Sequence, residues 1–175
     1  MSFDVLISKD KIAKRVEEIA QEVSDRHRDG AENLIVIGVL KGSFIFLADL
    51  VRKLNIPTVI HFVQARSYGS GTESSGAVKL TRDISIPLKG RDILLVEDIV
   101  DTGHTIDFLL KHFKSHEPKS VSVCALLHKP SREVVKVPVD HLGFTIEDHF
   151  VVGYGLDLDD QYRGLEDIVI YKGEE

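Results

Sequence analysis

Leu34-Ile35-Val36-Ile37-Gly38-Val39-Leu40 is an unbroken apolar run, and it narrows the folds open to this chain. A strand with one wet face alternates apolar and polar residues. A run without polar side chains needs cover on both faces, as inside a parallel sheet. Asp92–Val96 and Val121–Leu127 repeat the pattern. Helical spacing lies between them. Ser8 caps a helix with apolar residues at Ile12, Val16, Ile19 and Val23, and Gly30 offers its stop. Phe44–Leu54 reads as a second helix, blocked from continuing by Pro57, and Thr105 to about His116 as a third. A β-branched run covers Thr58–Val63, and short β-like runs fall at 142–146, 150–152 and 168–171. Alternation of this kind predicts an α/β fold with a mostly parallel central sheet flanked by helices, as one domain over 1–175.

Composition excludes some functions. Lys and Arg number 22 against 28 Asp and Glu, a formal net charge of −6. A chain this acidic is a poor non-specific binder of nucleic acid. No apolar run approaches the length of a membrane span, about 18 residues, so no membrane partner is expected. The one cysteine, Cys124, lies inside an apolar run and reads as a small buried hydrophobe rather than a nucleophile. The N-terminus lacks the basic region and cleavage site of an export signal. Together these predict a soluble, cytoplasmic protein.

The chemistry concentrates in Ile93-Leu94-Leu95-Val96-Glu97-Asp98-Ile99-Val100-Asp101-Thr102-Gly103-His104-Thr105. A buried strand leads into two adjacent carboxylates and a polar turn, then Asp-Thr-Gly and another hydroxyl where a helix begins. Ligands of open α/β sheets bind beyond the carboxyl ends of strands. Small residues after Asp101 let backbone N–H groups converge at a helix N-terminus, an arrangement suited to a phosphate monoester. Ile99-Val100-Asp101-Thr102-Gly103 also satisfies the half-site pattern of aspartic proteases. Glu97 and Asp98 would disturb the proton such a dyad shares, and the βα alternation contradicts the all-β protease fold.

With its flanks this segment resembles the phosphoribosyl diphosphate (PRPP) motif of type I phosphoribosyltransferases. Other segments are similar to the hypoxanthine-guanine phosphoribosyltransferases among them. These are Leu40-Lys41-Gly42-Ser43, Ser67-Tyr68 opening a glycine-rich loop over 67–76, Lys129 after Leu126-Leu127, and Phe150-Val151-Val152-Gly153-Tyr154-Gly155-Leu156-Asp157 continuing to Tyr162-Arg163-Gly164-Leu165. The matches run in order over about residues 34–171.

The resemblance implies a type I phosphoribosyltransferase fold with a small hood formed by terminal segments. It implies transfer of phosphoribosyl from PRPP to hypoxanthine or guanine, giving IMP or GMP and pyrophosphate through an oxocarbenium-like transition state, with Mg2+. Asp101, Thr102, Gly103, His104 and Thr105 would cradle the 5′-phosphate, and Asp101 would also be the general base at purine N7. Glu97 and Asp98 would hold the ribose hydroxyls and approach magnesium. Leu40, Lys41, Gly42 and Arg163 would meet pyrophosphate, the first three in a turn the family often builds with a cis peptide.

Lys129, Phe150, Val151 and Asp157 would form the purine site, Lys129 donating to the oxygen at position six. Asp157 is also expected on a second magnesium. Ser67 and Tyr68 would sit on a mobile loop that closes over the reaction. Two plainer readings stand beside these: Arg163 as a surface ion pair among Asp157, Asp159 and Asp160, and Phe150 as core. The family commonly forms homo-oligomers, dimers or tetramers. A PRPP-binding regulator and a xanthine-preferring relative are the alternative functions, and the acidic charge and intact purine-site residues count against the regulator.

Overall fold

The computed structural model describes residues 3–30, 34–68 and 77–173. Its centre is a six-stranded sheet of order β4-β3-β2-β5-β6-β7. These strands are β2 (Leu34–Leu40), β3 (Val59–Tyr68), β4 (Ala77–Arg82), β5 (Asp92–Val100), β6 (Ser120–His128) and β7 (His141–Thr145). All neighbours pair in parallel except β4, which closes one edge antiparallel to β3. The helices are α1 (Lys9–His27), α2 (Phe44–Lys53) and α3 (His104–Lys114).

The expected two-sided burial of the central strands is present. Leu34, Val36, Leu94, Val96, Cys124 and Leu126 face one way, into a core shared with Ile12, Val16, Ile19 and Val23 of α1 and Phe46, Leu47 and Leu50 of α2. Ile35, Ile37, Ile93, Leu95 and Val123 face the other, against Ile106, Leu109, Leu110 and Phe113 of α3. The period-two alternation of strand side chains divides each run between two cores. Cys124 is fully buried, and burial pushes its thiol well above the ordinary range, as suits an inert core residue.

A second, antiparallel sheet of order β1-β9-β8 forms the hood from β1 (Phe3–Ile7), β8 (Val151–Val152) and β9 (Ile168–Tyr171). Both chain ends contribute to it, as expected. No helix of the described residues is long and apolar enough to cross a membrane.

The structure corrects the sequence reading at five elements. β1 and β4 were not anticipated as strands. β1 draws its regularity from pairing with β9, and β4 from pairing with β3, both distant in sequence. β3 runs to Tyr68, five residues beyond the expected end. Most consequentially, β5 continues to Val100, so Glu97 and Asp98 lie within the strand rather than in a turn after it. Continued pairing with β6, Glu97 opposite Ala125 and Val100 opposite His128, keeps the segment extended despite its charges. Finally α3 begins at His104, one residue before the expected Thr105.

Candidate active site

The strand order determines where a ligand can sit. From β2 the chain passes through α2 to β3 on one side, and from β5 through α3 to β6 on the other. The carboxyl ends of β2 and β5 therefore flank the switch point at which open α/β sheets bind ligands. A cleft of about 370 Å³ opens there. It is lined by Leu40, Lys41 and Gly42 after β2, by Glu97, Asp98 and Asp101–Thr105 from β5 to α3, and by Arg132. Two segments more than fifty residues apart thus share one cavity.

The phosphate-loop candidate is built from local geometry. Gly103, with φ +87°, precedes the first residue of α3 and stands where a Cβ would lie 2.0 Å from the Val135 carbonyl oxygen. A glycine is required on both counts, the left-handed backbone and the close approach. The Thr102 carbonyl accepts from Val134 N at 2.9 Å and Val135 N at 3.0 Å, and Lys129 N donates to the Val100 carbonyl at 3.0 Å. The loop is thereby tied to the 129–135 segment. The first N–H groups of α3 have no partners within the helix and, with its dipole, favour an anion in the cleft.

Glu97 is buried, with Asp98 beside it. Burial and the like charge of Asp98 raise the Glu97 carboxyl well above the usual carboxylate range; burial raises Asp98 as well, against a lowering bond from Ile99 N at 2.7 Å. Lys41 and Gly42 approach this pair so closely that a Cβ on Gly42 would meet Asp98 Oδ2 at 1.6 Å. The Leu40–Lys41 peptide is cis, as the resemblance implies.

Two adjacent carboxylates fit a hard divalent cation that keeps waters and shares substrate oxygens, which is how magnesium is usually held. Among the described residues no group of three or more His, Cys, Asp and Glu side chains is gathered to hold a metal by itself. Asp157, expected among the metal ligands, pairs with Arg163 at 2.9 Å and accepts from Asp160 N at 2.8 Å.

Of the described residues, the remaining expected ones are not among those lining the cleft. Lys129 is 8% exposed, with Asp148 Oδ1 3.6 Å from its ammonium nitrogen. Val151 is buried in β8, whereas Phe150 is 51% exposed, which removes the core reading for its ring. Arg163 makes ion pairs of the kind weighed against a pyrophosphate role, with Asp157 at 2.9 Å and Asp160 at 3.0 Å. Ser67 and Tyr68 end β3, and their side chains, with the loop from residue 69 to 76, lie outside the described residues.

Arg132 and Asp148 were not anticipated near the site, and Asp160 was expected only as an ion-pair partner of Arg163. Arg132 lines the cleft and donates from Nε to Asp101 Oδ1 at 3.1 Å. Asp148 lies 3.6 Å from Lys129 and 3.8 Å from Arg132. Asp160 accepts from Lys41 Nζ at 2.6 Å and from Arg163 at 3.0 Å. Their sequence surroundings resemble any charged turn, and only the fold brings them to the site.

The chain matches the family described as the phosphoribosyl transferase domain over residues 6–159. It is 41% identical over 162 residues to the hypoxanthine phosphoribosyltransferase of Salmonella typhimurium, covering 93% of this chain and 91% of that one. It is 43% identical over 165 residues to the hypoxanthine-guanine phosphoribosyltransferase of Mycobacterium avium, covering 92% and 81%. The crystal structure of a hypoxanthine-guanine phosphoribosyltransferase from Bacillus anthracis superposes with a TM-score of 0.88 at 43% identity, covering 96% of this chain and 98% of that one. With the switch-point cleft and its two loops, these likenesses make the chain a member of the phosphoribosyl transferase family, within its hypoxanthine and hypoxanthine-guanine branch.

Proposed function

We propose that the protein is a purine salvage enzyme that transfers the 5-phosphoribosyl group of PRPP to hypoxanthine or guanine, yielding IMP or GMP and pyrophosphate. One observation carries the assignment of residues: Leu40–Gly42, Glu97, Asp98 and Asp101–Thr105 line a single cleft at the switch point. The backbone N–H groups of Thr102–Thr105 and the threonine hydroxyls receive the 5′-phosphate. Glu97 and Asp98 accept from the ribose hydroxyls. Lys41 and Arg163 receive the diphosphate, for which a guanidinium fork is well shaped. Phe150 offers its exposed ring to the purine face, and Lys129 donates to the oxygen at position six, a bond the amino group of adenine cannot accept.

In the reaction the C1′–O bond of PRPP breaks, pyrophosphate leaves with the bonding pair, and purine N9 bonds to C1′. The purine loses its N7 proton to the Asp101 carboxylate. Magnesium at Glu97 and Asp98, when bound, supplies charge neutralisation for the ribose and diphosphate oxygens. Closure of the Ser67–Tyr68 segment would exclude water from the oxocarbenium-like state. We also propose Asp157 for the purine site and a second magnesium, a single domain over 1–175, a homo-oligomeric dimer or tetramer, and a cytoplasmic location.

The test is incubation of the purified protein with PRPP, magnesium and each of hypoxanthine, guanine, xanthine and adenine, with nucleotides separated by chromatography. IMP and GMP are expected, with little AMP. PRPP binding without nucleotide from any base would replace this reading with a regulatory one, and preferential XMP would move the preference to xanthine.

A further inference from the structure

Lys41 and Arg163 reach one carboxylate from opposite ends of the chain. Asp160 Oδ1 accepts from Lys41 Nζ at 2.6 Å and from Arg163 at 3.0 Å, and Arg163 also pairs with Asp157 at 2.9 Å. Two cations and two carboxylates leave the cluster neutral, so an incoming diphosphate meets no net positive charge there. The two carboxylates are not equivalent. Asp157 is the less exposed, at 31% of its side chain, and is tied into the turn by Asp160 N. Asp160 is 67% exposed and can pass from the cations to water at little cost.

The backbone directs it there. Asp159 and Asp160 are consecutive residues with left-handed φ of 50° and 61°, and the turn is closed by reciprocal bonds between Leu158 and Gln161. Side chains other than glycine, asparagine and aspartate adopt this backbone reluctantly.

We propose that Asp160 is a positioning residue that acts through Lys41 and Arg163, an internal anion that holds both cations until the diphosphate displaces it and that reclaims them as pyrophosphate departs. The inference rests on the reading that Lys41 and Arg163 contact the diphosphate. Its consequence is a moderate hold on PRPP and a faster release of pyrophosphate, product release being a step that limits many enzymes.

Asp160→Asn tests it, because asparagine keeps the size and tolerates the left-handed backbone while losing the charge. Pyrophosphate binding in the presence of magnesium is measured by calorimetry, beside KM for PRPP and for hypoxanthine. The expected result is tighter pyrophosphate binding and a lower KM for PRPP, each by about threefold to tenfold, with KM for hypoxanthine unchanged. Structural damage would weaken binding, so a gain of affinity distinguishes competition from misfolding. Unchanged or weaker pyrophosphate binding overturns the inference. Lys41→Met and Arg163→Gln separate the two levels. If they weaken pyrophosphate binding while Asp160→Asn does not tighten it, the inference alone fails; if neither weakens it, the reading of the cations fails too.

Discussion

Arg132 Nε donates to Asp101 Oδ1 at 3.1 Å across thirty-one positions of sequence, so the proposed proton acceptor is held by a cation that follows Lys129 by three residues. The same arginine lies 3.8 Å from Asp148, which lies 3.6 Å from Lys129. The charge proposed to read the purine and the charge that holds the proposed proton acceptor thus belong to one short chain of contacts.

This pairing makes Asp101→Asn an informative substitution. Asparagine preserves a carbonyl oxygen for Arg132 and so preserves the loop, but it cannot take the N7 proton. Turnover should fall by about 10²–10⁴-fold, the usual contribution of a general base. The dissociation constant for PRPP, measured by calorimetry, should move by less than about threefold. Parallel losses in both would make Asp101 a residue that positions phosphate only.

Lys129 offers a test of purine selection. It is nearly buried, and the Ala variant removes a charged donor from a site that cannot replace it with water cheaply. KM for hypoxanthine should rise by about tenfold to a hundredfold, the range of a hydrogen bond to a charged group. Adenine use should stay as it was, so the ratio of kcat/KM values between the two bases narrows. An unchanged ratio would reject the contact.

Gly103 is where loop geometry and stability coincide. Alanine there must adopt a positive φ and place its Cβ against the Val135 carbonyl oxygen. The strain should cost about 1–3 kcal/mol and lower Tm by about 3–10 °C in differential scanning calorimetry. PRPP affinity should fall with it, because the loop cannot keep both its tie to Val135 and its phosphate-facing shape. A variant as stable as the parent would show that the loop relaxes freely.

The buried His27 predicts a pH dependence of stability. It is 8% exposed, its Nε2 has no hydrogen-bond partner, and burial lowers its pKa below the ordinary 6.5. Arg26, His141 and Lys119 push in the same direction, and Asp92 opposes them. The unfolded chain then binds more protons than the folded one in the window just below pH 6.5, so stability falls as pH drops through that window. His27→Gln cannot titrate and should flatten the dependence between pH 7 and 5 in urea unfolding. Equal slopes in the two proteins would assign the acid sensitivity to other groups.

Much of this molecule was legible in its sequence, and the division has a physical basis. The two-sided burial of Leu34–Leu40 follows from an apolar run that admits no wet face, and α1 follows from Ser8 and the spacing of Ile12, Val16, Ile19 and Val23. The turn proposed for phosphate was legible as a turn for a similar reason: Asp101–Thr105 carries small residues at a helix start, and Gly103 takes the left-handed backbone there.

What consecutive residues cannot encode is pairing across distance. The sequence alone determined the parallel α/β core and the chemical character of each loop. The tertiary structure decided that β1 and β4 are strands, that β5 carries Glu97 and Asp98 inside the sheet, that Arg132 lines the cleft and that Asp160 meets Lys41. Local backbone preference and burial act within a few residues and leave a periodic trace. A strand that owes its order to a distant partner, or an ion pair between loops over a hundred residues apart, leaves none until the sheet order brings its ends together.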